Sequence, residues 1–210
     1  MTDQRTLRWH QWHSAWQALG VAAPDAALFE RLLKAYAEPQ RHYHTLQHLD
    51  ECLDWLDRTQ DTAERPAEVA LALWFHDAVY DVHAHDNELR SADWAREALS
   101  SAGVSEDAAE RVHALVMATQ HNAVPAQGDA VLLVDIDLAI LGAAPTRFAE
   151  YEWQIRREYA HVPPDTFAPR RREILQRFFA REPLFQTAAL RDACEAPAKR
   201  NLQSAIEAVA

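Results

Sequence analysis

The run Val69-Ala70-Leu71-Ala72-Leu73-Trp74-Phe75 constrains this chain more than any other stretch. It follows Pro66, which suits the first turn of a helix, and predicts a helix from Ala67 to about Ala78. A helix that is apolar nearly all round lies centrally, with neighbours on several sides. His76 and Asp77 follow the run at once, at the buried end. An ionised aspartate held there needs a cation or several donors, because burying it unpaired is costly.

The rest of the chain supplies helical neighbours. Trp9, Trp12, Trp16 and Leu19 form one stripe of a helix over 6–19, read as a packing surface. Pro24-Asp25 opens a second helix, with Phe29, Leu32, Leu33 and Tyr36 inward. A third runs from about Thr45 to Arg58 with Leu46, Leu49, Leu53 and Leu56 inside. Further helices are expected over 87–99, capped by Asp86, and over 105–120. Val131 to Leu141, interrupted only by Asp135 and Asp137, is read as helix because helices flank it. Phe148, Tyr151, Ile155 and Tyr159 mark the next, and helices over 166–181 and 194–208 end the chain. Only 4 glycines stand against 10 prolines, which disfavours the many turns of an all-β fold. With 49% hydrophobic residues in 210, the expectation is an all-α, single-domain helical bundle over 1–210.

A net charge of −11 argues against general nucleic-acid binding, since an acidic surface repels phosphate backbones. A small anionic substrate stays open, because a metal and a few arginines reverse a local field. Cys52 and Cys194 fit no C-x-x-C pattern, so a reducing compartment is expected and thiolate metal chemistry is not. The first residues lack a signal peptide's apolar segment, and no apolar run is long enough to span a bilayer. A soluble, cytoplasmic protein is expected. No Gly-rich phosphate loop and no G-x-S-x-G occurs, which disfavours ATP-driven and serine-hydrolase chemistry.

Histidines carry the chemical signal. His42, His44 and His48 crowd one segment, and neutral imidazole is the commonest metal ligand. On a helix His44 and His48 would share a face. His76 with Asp77, and Asp135 with Asp137, end or interrupt two other apolar runs. Convergence on one cation accounts for all three segments. Asp135 and Asp137 would lie on opposite sides of a helix, and the helical period does not choose between them.

These residues bring the chain to a resemblance. His, then His-Asp, then a distant Asp resembles the HD-domain superfamily of metal-dependent phosphohydrolases. The closer likeness is to a group of uncharacterised bacterial proteins described as predicted phosphohydrolases of that superfamily. It is carried by Tyr43-His44-Thr45-Leu46-Gln47-His48, Trp74-Phe75-His76-Asp77-Ala78-Val79-Tyr80-Asp81, and Asn87-Glu88 with Ser91-Ala92. It continues through Ala118-Thr119-Gln120-His121, Asp135-Ile136-Asp137-Leu138, Ile155-Arg156 with Glu158-Tyr159, and Arg200-Asn201-Leu202. Tyr43-His44-x-x-x-His48 is also similar to a cyclic nucleotide phosphodiesterase segment, with Thr45 where those enzymes have Asn.

The resemblance implies a metal held by His48, His76, Asp77 and Asp137. Two nitrogens and two carboxylates suit Mn, Fe, Co, Ni or Mg, with Zn also open. It implies His44 as proton donor, beside Asp77 at the reacting water. Asp81 and Glu88 are candidates to orient water or a ligand histidine. His121 is a candidate second ligand or phosphate donor, and Arg41 and Arg156 are candidates for a small phosphorylated substrate. The Arg170-Arg171-Arg172 run reads as a solvated helix face. Two other functions remain open: an iron-dependent oxygenase on the same type of site, and a non-catalytic metal- or nucleotide-binding helical module. Neither the substrate nor the oligomeric state is legible.

Overall fold

Local signals decide most helix ends. In this computed structural model, which describes residues 4–120, 125 and 127–208, every regular element among the described residues is helical. The ten α-helices are α1 (Gln4–Ala18), α2 (Ala26–Ala35), α3 (Leu46–Thr59), α4 (Pro66–Phe75), α5 (Asn87–Ser101), α6 (Glu106–Met117), α7 (Asp129–Asp137), α8 (Pro145–Glu158), α9 (Pro164–Phe179) and α10 (Ala188–Ala208). Pro66, Pro145 and Pro164 stand in the first turns of their helices, where a missing N–H costs nothing. Asp25 caps α2, its carboxylate accepting from Ala27 N at 2.8 Å. Thr45 caps α3 by accepting from Gln47 N at 3.3 Å. Asp86 occupies the cap position of α5, but its side chain makes no capping bond. No helix among the described residues is long and apolar enough to cross a membrane.

The chain forms two compact units, Met1–Val134 and Asp135–Ala210. In the first, α4 packs against α1, α3, α5 and α6, as an all-round apolar helix requires. Val69 and Leu71 to Phe75 are fully buried. Trp12 meets Trp74 edge-on with centroids 5.3 Å apart, and Phe29 lies 5.7 Å from the same ring. The tryptophan stripe of α1 is therefore core. The start of α4 is tied by Asp129, whose carboxylate accepts from Glu64 N at 2.7 Å and Arg65 N at 2.8 Å. Buried Glu68 meets the α6 residue Arg111 through two bonds, 2.6 and 2.8 Å.

α4 ends at Phe75, short of the expected Ala78, and His76 to Val79 form a turn. Side chains distant in sequence hold that turn and so shorten the helix. They are described with the site below.

The second unit holds α8, α9 and α10 with the 3-10 turn Leu138–Gly142. The continuous helix expected to Leu141 thus changes type after Asp137. Asn201 donates to Leu141 O and Ala143 O, both at 2.9 Å, and fixes this turn on α10. α10 starts at Ala188, before the expected 194, and contains Pro197. Asp135 stabilises the early start: its carboxylate accepts from Gln186 N at 3.1 Å, Thr187 N at 2.6 Å and the Thr187 hydroxyl at 2.7 Å. Arg171 departs from the expected solvated run. It is buried, pairs with Glu152 and lies over the Tyr151 ring at 5.1 Å.

Gly142 is the tightest backbone approach among the glycines. A Cβ there would sit 2.5 Å from the Cys194 Cβ and 2.8 Å from its backbone. Because the obstacle includes main chain, Gly142→Ala is expected to lower stability by about 1–3 kcal/mol, measured by urea denaturation.

Candidate metal centre

His48 and His76 reach one point from different helices. His48 lies in the first turn of α3 and His76 follows the last residue of α4. Both are almost wholly buried. Their Nε2 atoms are 3.1 Å apart. Asp77 Oδ2 is 3.0 Å from His76 Nε2 and 3.6 Å from His48 Nε2. Three donor atoms of metal-ligand type therefore form a triangle with sides of 3.0 to 3.6 Å.

The partners of the other ring nitrogens decide what this triangle presents. His76 Nδ1 lies 2.8 Å from Leu73 O, a carbonyl that only accepts. Nδ1 therefore carries a proton, and in the neutral ring Nε2 keeps its lone pair. His48 Nδ1 lies 3.0 Å from the Tyr43 hydroxyl, which orients the ring. The three polar atoms converge on one point, which a proton shared between the rings or a cation can occupy. Burial works to raise the Asp77 carboxyl, but His76, His44 and His48 outweigh it and hold the group well below the usual carboxylate range.

The donor separations fit a cation. Bond lengths of about 2.1 Å give edges of about 3.0 Å in an octahedron and about 3.4 Å in a tetrahedron. Outer hydrogen bonds of the Leu73 and Tyr43 kind are the usual means of orienting a ligand histidine.

The His-Asp turn is held from three sides. Tyr36 is fully buried; its hydroxyl donates to Trp74 O and accepts from Asp77 N, both at 3.3 Å. Ser91 accepts from Val79 N at 3.0 Å. Arg41 supplies the third hold. Its Nη1 donates to Asp77 O at 2.5 Å and His44 O at 3.3 Å, and its Nη2 to Ala78 O at 3.1 Å. Nε pairs with Glu38 at 3.0 Å, and the guanidinium lies 5.4 and 5.5 Å from the Tyr36 and Tyr80 rings. Arg41 thus has a structural task, with Nη1 and Nη2 on three main-chain carbonyls and Nε on Glu38. Arg156 donates to Tyr159 O at 2.6 Å and Val162 O at 3.1 Å, closing the end of α8.

His44 precedes the α3 cap, so it does not share a helical face with His48 as the spacing suggested. It still comes close: the rings are 6.1 Å apart, and His44 stacks on Tyr80 at 4.1 Å. Thr45, which departs from the phosphodiesterase pattern, serves as the helix cap between them.

Other expected residues fall elsewhere. Glu88 is half-buried in the first turn of α5, and its carboxylate makes no hydrogen bond or ion pair among the described residues. Asp81 is exposed and accepts from His83 N at 2.9 Å within its own loop. His121 lies outside the described residues. In the second unit Asp137 ends α7, and Asp135 is committed to Gln186 and Thr187. Asp135 therefore already has a structural task, a distinction that helical periodicity did not make.

Cys52 was missed. It is buried on α3 one turn beyond His48, with Sγ 3.7 Å from His48 Nδ1 and 3.8 Å from Nε2. The ligand atoms of His48, Cys52 and His76 all lie within 4.8 Å of one another. The i, i+4 spacing of His48 and Cys52 was the available signal.

Arg41→Met removes the donors of three carbonyls around the His-Asp turn. A loss of about 1–3 kcal/mol is expected, read as a lower denaturation midpoint.

No family model, curated protein or solved structure matches the chain, so the case for a metal rests on its own residues.

Proposed function

We propose that this protein is a metal-dependent phosphohydrolase acting on a small phosphorylated substrate. A buried pair of imidazoles, with Nε2 atoms 3.1 Å apart and His76 Nδ1 committed to a carbonyl, carries the reading. His48, His76 and Asp77 would hold a divalent cation of the Mn, Fe, Co, Ni, Mg or Zn kind. Asp137 is added as a ligand by the resemblance to the HD-domain superfamily.

A divalent ion bound there supplies Lewis acidity, lowering the pKa of water and polarising a phosphoryl oxygen. The chain supplies the rest. Leu73 O keeps His76 in the tautomer that offers Nε2, and the Tyr43 hydroxyl orients the His48 ring. Asp77 presents Oδ2 3.0 Å from His76 Nε2, where its carboxylate would be a negative partner for a cation. His44, stacked on Tyr80 and near the cluster, donates a proton to the leaving oxygen. The substrate's phosphate would rely on the cation for charge.

A panel of phosphomonoesters, phosphodiesters and nucleotides, each with added Mn²⁺, Co²⁺, Ni²⁺ or Zn²⁺, tests the reading. Turnover is expected in the wild type with at least one metal. Asp77→Ala should lose activity and bound metal together. His44→Ala should retain metal and lose about 10²–10⁴ in kcat. Metal that only raises the melting temperature, with no ester turned over, would leave a structural clip instead.

A further inference from the structure

We infer that Cys52 is a metal ligand, which joins a thiolate to the imidazoles of His48 and His76 and turns the centre toward a thiophilic ion of the zinc class. The inference rests on the reading that His48, His76 and Asp77 hold a divalent cation. It changes which metal the centre favours, and every donor it names belongs to the first unit.

The position of the sulfur carries it. Buried cysteines often act as small apolar groups among other apolar side chains. Cys52 instead sets its Sγ against the polar edge of His48, 3.7 and 3.8 Å from the two ring nitrogens. A tetrahedral ion with Zn–S of about 2.3 Å and Zn–N of about 2.05 Å separates sulfur from nitrogen by roughly 3.6 Å. The observed 3.8 Å from Sγ to His48 Nε2 is close to that edge. The ligand atoms of His48, Cys52 and His76 all lie within 4.8 Å of one another, and the two Nε2 atoms are 3.1 Å apart.

The helix makes the placement rigid. His48 and Cys52 are four residues apart on α3, so a single turn brings both donors to one face. His76 and Asp77 approach from the turn after α4, which Tyr36 and Arg41 hold in place. Sulfur coordinates as the thiolate; its proton passes to the buffer as the S–metal bond forms. Thiolate and imidazole together prefer zinc-class ions over Mg²⁺ or Mn²⁺, whose preferred donors are oxygens.

Cobalt(II) reports the sulfur directly. Full-length protein stripped with a chelator is titrated with cobalt chloride, and absorption spectra are recorded for wild type, Cys52→Ala, Cys52→Ser and Cys194→Ser. The expected result is a near-ultraviolet thiolate-to-cobalt charge-transfer band in wild type and Cys194→Ser. The band should vanish in both Cys52 variants. Those variants should still bind cobalt through the remaining donors, with affinity lower by more than the roughly tenfold that loss of an outer hydrogen-bond partner costs. Circular dichroism confirms that each variant is folded, and the alanine variant avoids burying a hydroxyl.

Cobalt binding by wild type without that band overturns the thiol ligand and leaves the metal reading standing. Persistence of the band in folded Cys52→Ala also overturns it. Failure of wild type to bind either cobalt or zinc removes the metal reading, and the thiol ligand with it.

Discussion

A carboxylate and two imidazoles share the inner end of an apolar helix, and the surrounding structure follows from making that tolerable. Inside a low-dielectric core a lone ionised group is expensive, and opposed lone pairs repel. The chain meets part of the cost with histidine rings beside Asp77, which stabilise its ionised form. It meets another part by giving each outer ring nitrogen a fixed partner, Leu73 O for His76 and the Tyr43 hydroxyl for His48. What remains is a point where three polar atoms meet, which a shared proton or a cation can occupy.

Arg41 shows how a buried charge can be structural without a carboxylate facing it alone. Its guanidinium gathers the carbonyls of His44, Asp77 and Ala78, two of which belong to the turn that ends α4. Carbonyls at a helix end carry partial negative charge, so a cation there is favourable. The fork of donors also ties the segment bearing His44 to the segment bearing Asp77, which local sequence cannot do. Tyr36 and Tyr80 flank the planar group, and Glu38 balances it at the rim. The same economy recurs at Arg171, where Glu152 and the Tyr151 ring receive a buried guanidinium in the second unit.

Much of this was legible residue by residue. The apolar sweep from Val69 to Phe75 announced a central helix, and its polar terminus announced a site. The stripe of Trp12 and Trp16 announced packing. Pro66, Asp25 and Thr45 marked helix starts through chemistry that acts within one turn. The reading stopped short where the deciding contact came from afar. Arg41 looked like a phosphate ligand because arginine beside histidines has that chemistry; its hold on three carbonyls comes from packing. Asp135 and Asp137 looked equivalent until Gln186 and Thr187 claimed the first. Cys52 was passed over because thiol sites were sought as cysteine clusters, whereas here one sulfur joins imidazoles.

By itself, then, the order of residues determined an all-helical chain with His76 and Asp77 at the inner end of its most apolar helix. Those properties follow from periodicity and turn chemistry, which are local. Tertiary structure alone decided which nitrogen His76 presents, that α4 stops at Phe75, and that Cys52 Sγ lies against His48. A hydrogen bond's partner is chosen by distance in space, and residues such as Tyr36 and Asp77, 41 positions apart, acquire that proximity only when the helices pack.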